Sequence, residues 1–431
     1  MNVFNKILRG DKVIWIVALL LGIISLIVVY SATSAYATNN YKGDTGKVLM
    51  RHLGTLVFGF MMMYATYKIN YKHFAKAALL LLIPCLALLV YTLVFGQHLN
   101  EANRSINIGG FSFQPSEMAK IILITYLARQ LIMMEGKVYN FKDFLIKLAL
   151  PILCTVGLIF TENLSTALIL TAVCMVLLFV GRARFVHILS LVGLCVVGMG
   201  FYLALDAIST NRHNRHALKA QQVAIAQGDT SKEYKEKQSR VMTWVNRIKT
   251  MGEDKENIDP FDDRHMQRTY ADIAVASGSI FGKGPGKSEQ RNFLPHPYSD
   301  FIYAIIIEEY GILGGIIVLL LYVILFTRVI RIVSRRTVTF GALMSFGLGF
   351  LVVMQAMVNM GVSIGLLPVT GQPMPFVSMG GTSLMATGII LGMILSVTRT
   401  MEDEATSNQQ ELEIIKETID TEDERELESG D

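Results

Sequence analysis

Residues Val13–Ser31 read VIWIVALLLGIISLIVVYS, a run without a single charge. At about 1.5 Å of rise per residue, a helix of this length crosses the roughly 30 Å hydrocarbon core of a bilayer. The run is too long for the apolar core of a signal peptide, and no small-residue cleavage site follows it closely, so it reads as a membrane span. The rest of the chain repeats the pattern. Apolar runs recur at Met50–Tyr67, Ala77–Phe95, Glu117–Met134, Leu145–Phe160, Thr166–Val180, Val186–Leu205, Phe301–Phe326, Val338–Met357 and Thr382–Val397. With 52% hydrophobic and 17% charged residues among 431, the composition suits a polytopic membrane protein and excludes an ordinary soluble domain. The expected fold is all-α, with ten transmembrane helices and a large extracytoplasmic loop after the seventh.

Charge orients the bundle. Lys6, Arg9 and Lys12, then Lys68, Lys72 and Lys76, then Lys137 and Lys142, Arg182 and Arg184, and Arg328, Arg331, Arg335 and Arg336 fall on alternate connections. The opposite short connections carry few cations, chiefly Lys42, Lys47 and Arg104. The positive-inside rule then places both termini in the cytoplasm. The expected organisation is a cytoplasmic N-terminus over residues 1–12, seven spans over 13–206, an outer loop with surface helices over 207–300, three spans over 301–398 and a tail over 399–431. Residues 401–431 hold 13 acidic and 2 basic residues, so the preceding 400 carry +15 against a total of +4. That tail has no aromatics and few large apolar residues, which predicts a mostly disordered segment with a short helix at Gln409–Ile419. No basic and aromatic platform gathers in one soluble segment, so no nucleic-acid partner is expected. Cys85, Cys154, Cys174 and Cys195 lie within apolar runs and read as packing residues, without a disulfide or metal spacing.

Four polar segments carry the chemistry. In Leu294-Pro-His-Pro-Tyr-Ser-Asp300-Phe-Ile-Tyr, a carboxylate stands at the lip of a membrane helix, a costly position that marks a functional site. A helix cap made by Ser299 and Asp300 is the plainer alternative. In Asn103–Lys120, Pro115 suits a first helical position, and Glu117 and Lys120, three apart, share a helix face at the membrane edge. An ion pair there is expensive to keep for stability alone. Gly365–Ser383 contains three prolines and four glycines, irregular backbone that survives at membrane depth only when buried or lining a wet cavity. Gly278, Gly282, Gly284 and Gly286, with Lys287 and Arg291 nearby, would let backbone N–H groups approach a phosphate, although a plain turn is the stronger reading. The spacing is not that of a nucleotide-binding P-loop.

In these segments the chain resembles the RodA/FtsW group, the SEDS proteins of bacterial peptidoglycan synthesis. The match runs through Gln114-Pro115-Ser116-Glu117-x-x-Lys120, then Leu294-Pro295 to Asp300-Phe301-Ile302 with Glu308-Glu309-x-Gly311, then Gly371-x-Pro373-Met-Pro375-Phe376-x-Ser378-x-Gly380-Gly381. It covers Val13 to about Arg399. Four positions depart from the usual pattern: Ser105 for Trp, His296 for Glu, Tyr298 for His and Met379 for Tyr. In a fifth, Asn163 replaces Asp ahead of the sixth span.

The resemblance implies glycosyl transfer on the outer leaflet, joining lipid II into glycan strands, most like the division branch. It implies Asp300 as general base. Arg104, Gln114, Ser116, Glu117, Lys120, Lys287, Arg291 and Ser378 become substrate contacts, with cations facing the leaving pyrophosphate. A divalent cation, Mg or Mn, is an expected companion of that pyrophosphate. The implied partners are a class B penicillin-binding protein, a single-span transpeptidase, and other membrane proteins of the division complex. The implied location is the bacterial cytoplasmic membrane at the septum. A lipid II flippase or transporter, or a non-catalytic scaffold for a transpeptidase, would also accommodate broken helices and a large loop.

Overall fold

The structure is a computed structural model that describes residues 9–41, 43–95, 97–99, 102–108, 111–134, 140–226, 263–334 and 339–429. It is a helical bundle with one small β-ribbon. In chain order the helices are α1 (Lys12–Ala32), α2 (Ser34–Tyr41), α3 (Thr45–Lys68) and α4 (Tyr71–Phe95). Three short antiparallel strands follow: β1 (Gln97–Leu99), β2 (Ala102–Ile108) and β3 (Phe111–Phe113), with Ile106 opposite Phe113 and His98 opposite Asn103. Then come α5 (Pro115–Met133), α6 (Phe141–Glu162), α7 (Leu164–Val180), α8 (Phe185–Ala226), α9 (Asp263–Gly278), α10 (Ile302–Ser334), α11 (Phe340–Ser363) and α12 (Gly381–Ser429).

Helix starts follow local chemistry. Side chains of Asp11, Asp44, Asn163 and Thr339 accept from backbone amides in the first turns of α1, α3, α7 and α11. Pro115 opens α5, where its missing N–H costs nothing. In α6 a π-helical turn over Leu145–Ala149 precedes Pro151, which cannot donate to the ladder.

Among the described residues, eight helices are long and apolar enough to cross a membrane: α1, α3, α4, α6, α8, α10, α11 and α12. The protein is therefore a polytopic membrane protein. The two other expected spans correspond to α5, which carries Glu117 and Lys120, and to the shorter apolar α7. Both are buried along much of their length, which keeps the charges of α5 off the lipid. The centre of the bundle is α11 and α12, whose apolar windows are 78% and 72% buried, against 11% for α8 at the rim.

α12 lies against α3 through Gly388-Ile-Ile-Leu-Gly392. A Cβ at Gly388 would overlap the Gly59 carbonyl, and one at Gly392 would overlap Thr66 Oγ1 and the Met63 carbonyl. Small residues four apart let two helix backbones approach where apolar driving force is weak. At the far end of these helices Arg9 pairs with Asp403 at 3.1 Å, Asp11 N–H donates to Thr398 Oγ1, and an Arg399 guanidinium N–H donates to the Lys68 carbonyl. The N-terminal segment and the end of the α12 span thus meet at the Lys- and Arg-rich end of the bundle.

Two expected boundaries shift. The outer loop was expected to begin at residue 207, but α8 continues as one helix to Ala226, since no Gly or Pro interrupts Phe201–Gln227. The remainder of the proposed surface helices, over 227–262, lies outside the described residues. The tail expected to be mostly disordered is instead helical to Ser429, an extension of α12. Glu, Gln, Leu and Lys are good helix formers, and no Gly or Pro intervenes between Gly392 and Gly430. All four cysteines are free thiols, with Cys154 exposed rather than packed.

Gly388→Ala should lower stability by about 1–3 kcal/mol through overpacking. Gly157→Ala, where a Cβ meets nothing within 4 Å, should not. Thermal unfolding of the purified protein in one detergent compares the two, and equal midpoints would remove the close α3–α12 approach.

Candidate active site

The loop Gly365–Gly380 sits between α11 and α12, at the bundle end opposite the Arg9–Asp403 pair. Its backbone cannot form helix, so each buried polar group needs a partner from elsewhere. The Asn359 amide on α11 donates to the Gln372 carbonyl at 2.8 Å, and the Gln372 amide donates to Thr166 Oγ1 on α7 at 2.8 Å. Tyr322 on α10 donates to the Pro375 carbonyl, and Ser25 on α1 donates to that of Val377 at 2.7 Å. Just beyond, Thr382 Oγ1 donates to the Ser112 carbonyl on β3 at 2.7 Å, which ties the ribbon to the start of α12.

The segment bearing Asp300 docks on this loop. Met379 N–H donates to the Tyr298 carbonyl at 2.9 Å, Ser378 Oγ donates to that of Ser299 at 2.6 Å, and Asn359 Nδ2 donates to that of Asp300 at 3.0 Å. Three successive carbonyls, 298 to 300, are therefore pinned. The half-buried Asp300 carboxylate accepts from Ser299 Oγ at 3.0 Å, and its other oxygen lies 3.7 Å from where a Cβ on Gly371 would be. The Tyr298 ring lies tilted against that of Tyr36, ring centres 5.1 Å apart. Burial first, then Tyr36 and Asp300, pushes its phenol up to about 12, so it stays neutral beside the carboxylate.

Glu117 and Lys120 form the expected ion pair on the first turns of α5, at 2.8 Å, with Lys120 1% and Glu117 7% exposed. Ser116 is buried beside them, and Gln114 precedes the helix, its carbonyl accepting from Glu117 N–H at 3.2 Å. Arg104 lies on β2, and its side chain is outside the described residues.

Two other expected contacts hydrogen-bond to protein groups. Ser378 uses its hydroxyl within the loop, accepting from Met374 N–H and donating to Ser299, so it positions backbone. Arg291 donates to the Ser31 carbonyl and hydroxyl at the end of α1, at 3.1 and 3.0 Å. Lys287 is exposed. Gly278 and Gly282 serve packing. α10 breaks at Gly311 (φ 72°, ψ −175°), and Lys283 and Gly284 N–H groups donate to the Glu308 and Glu309 carbonyls, both at 2.9 Å. A Cβ at Gly278, Gly282 or Gly311 would strike backbone across this contact.

Sequence reasoning missed Asn359 and Gln372, polar residues in apolar or irregular surroundings whose partners lie far away in the chain. It quoted Glu308 and Glu309 without a role; both are buried at the break, Glu308 paired with Lys283 at 3.0 Å and Glu309 accepting from Ser31 Oγ.

A cleft of about 800 Å³ with an apolar lining opens between α6, α7 and α8, bounded by Phe160, Ala167, Met175, Val192, Cys195 and Tyr202. Ala167 adjoins Thr166, the partner of Gln372. Among the described residues no three His, Cys, Asp or Glu side chains gather as a metal site, and no step of the chemistry is assigned to a divalent cation.

Fold and site together define a membrane-embedded protein with an acid held at the lip of a spanning helix by an irregular loop. The chain belongs to the cell cycle protein family of FtsW, RodA and SpoVE, whose model matches residues 11–403. It is 31% identical to the stage V sporulation protein E of Bacillus subtilis over 403 residues, 90% of this chain and 97% of that one. It is 30% identical to a probable peptidoglycan glycosyltransferase FtsW of Geobacter metallireducens, over 92% of this chain and 97% of the relative. Its fold matches the rod shape determining protein RodA of Thermus thermophilus with a TM-score of 0.60 at 24% identity, covering 90% of this chain and 97% of that one. A chain from a structure describing coordination of polymerization and crosslinking by a peptidoglycan synthase complex matches at a TM-score of 0.64 and 24% identity, covering 90% and 98%.

Breaking the buried pair one-sidedly with Lys120→Met should cost about 3–5 kcal/mol, because Glu117 is left charged and dry. Adding Glu117→Gln should recover part of that loss. Denaturation of these two variants and of Glu117→Gln alone reads the coupling, and strictly additive effects would show that the two side chains do not interact.

Proposed function

We propose that the chain is a peptidoglycan glycosyltransferase that joins lipid II units into glycan strands at the outer leaflet. The observation that carries this reading is Asp300, a half-buried carboxylate at the lip of α10 whose own and preceding carbonyls are pinned by Asn359 and Ser378. The family membership and the names of the relatives point the same way.

In the transfer, the acceptor sugar's hydroxyl oxygen attacks the donor's anomeric carbon as its proton passes to Asp300. The bond from that carbon to the pyrophosphate oxygen breaks, and the lipid pyrophosphate departs with the electron pair. Arg104 is the proposed contact for that developing charge, with Lys120, oriented by Glu117, beside the sugar path. One carboxylate and an activated donor suit a single inverting displacement without a covalent intermediate. The apolar cleft beside Thr166 suits the polyprenyl chain, which needs a dry surface continuous with the membrane.

All ten expected helices cross the membrane in this reading, α5 and α7 included, and the cation-rich end faces the cytoplasm with both termini. The proposed setting is septal wall synthesis beside a class B penicillin-binding protein that cross-links the new strands.

Asp300→Asn in purified protein supplied with lipid II should lower strand formation by about 10²- to 10⁴-fold. Undiminished strands would remove Asp300 from the mechanism. Movement of precursor across vesicles without strand growth would favour a flippase.

A further inference from the structure

His52 lies within α3, about 10 Å along the helix from Thr45. It is 1% exposed. Its Nε2 is 2.8 Å from Ser25 Oγ on α1, and that hydroxyl donates to the Val377 carbonyl at 2.7 Å. A serine hydroxyl has one hydrogen. Since Val377 receives it, His52 Nε2 must carry the proton given to Ser25, leaving Nδ1 as a bare acceptor. Nδ1 finds no hydrogen-bond partner among the described residues. A buried nitrogen left unpaired costs roughly 1–3 kcal/mol. A leucine at this place would avoid that cost, so the imidazole is not explained by packing.

The residue it braces is unusual. Val377 follows Phe376, which has φ +63° and is 1% exposed. A bulky residue in the left-handed region holds about 1–3 kcal/mol of strain and persists only where its surroundings over-determine it. Here they do. The Phe376 ring meets Phe60 of α3 edge-on at 5.1 Å, while the carbonyls on either side are held, Pro375 by Tyr322 and Val377 by Ser25. The next residue, Ser378, grips the Ser299 carbonyl beside Asp300.

We infer that His52 is a positioning residue for Asp300, acting through Ser25, the Val377 carbonyl and the strained turn at Phe376 to hold Ser378 against Ser299. This rests on the reading of Asp300 as the base. His52 fixes the hydroxyl of Ser25 toward Val377; without that donor, Ser25 can rotate, the turn relaxes and the carboxylate loses its register. Displacing a reacting group by about 1 Å costs on the order of 10²-fold in rate.

The test uses the full chain in nanodiscs with lipid II, comparing Ser25→Ala, His52→Leu and His52→Gln. Ser25→Ala and His52→Leu should each lower kcat by about 10- to 100-fold with KM unchanged. His52→Gln, whose amide can donate to Ser25, should recover most of the rate. Ser25→Ala combined with His52→Leu should be no slower than Ser25→Ala alone. Amide hydrogen exchange over Gln372–Met379 should speed up in Ser25→Ala and His52→Leu and stay as in the wild type in His52→Gln. A full rate in His52→Leu, additive losses in the double variant, or lost rate with unchanged exchange would overturn the inference. If His52→Leu does not fold, Ser25→Ala against His52→Gln decides: impaired and normal supports it, equal values overturn it. A wild-type protein that forms no strands would fell the transferase reading, while the exchange series still decides whether His52 holds the loop.

Discussion

The arrangement depends on one constraint: a backbone that is neither helix nor strand, set at membrane depth, must find every partner inside the protein. Gly365–Gly380 meets it with side chains sent from four helices. Ser25 comes from α1, Thr166 from α7, Tyr322 from α10, and Asn359 from α11, while Thr382 at the start of α12 reaches back to the ribbon. The loop is thus the point where the bundle is knitted together. Asp300 inherits its position because its neighbours hydrogen-bond to the same loop.

The same constraint explains the second irregular place. At Gly311 the carbonyls of Glu308 and Glu309 lose their helical donors, and the Gly278–Gly284 turn supplies N–H groups in their stead. Gly278 and Gly282 sit where any side chain would push the two backbones apart. Glu308 and Glu309 follow, buried where Lys283 and Ser288 bond Glu308 and Ser31 bonds one oxygen of Glu309. A charge-bearing break in a spanning helix is tolerable only because a neighbouring segment was shaped around it.

Much of this was legible beforehand, for identifiable reasons. Hydropathy marks a span directly, so α1 falls within one residue of its expected limits. Glu117 and Lys120 could be paired from spacing alone, since i and i+3 meet on any helix. Asp300 stood out as a carboxylate at an apolar boundary. What could not be read needs three dimensions. Asn359 and His52 are polar residues of spanning helices, and their partners are 13 and 27 residues away or further. The contact of Arg291 with Ser31, 260 residues away in the chain, is likewise invisible to local spacing. The tail misled because its charge argues for solvation while its residue types favour helix, and charge alone does not break a helix.

The chain order of the break carries a consequence for biogenesis. The turn that satisfies Glu308 and Glu309 precedes α10, so it leaves the ribosome before the helix it must complete. A newly made α10 never has to wait in hydrocarbon with open carbonyls for a later segment to arrive. Swapping that order by circular permutation would ask the membrane to accept an unfinished helix first, and lipid has nothing to offer it.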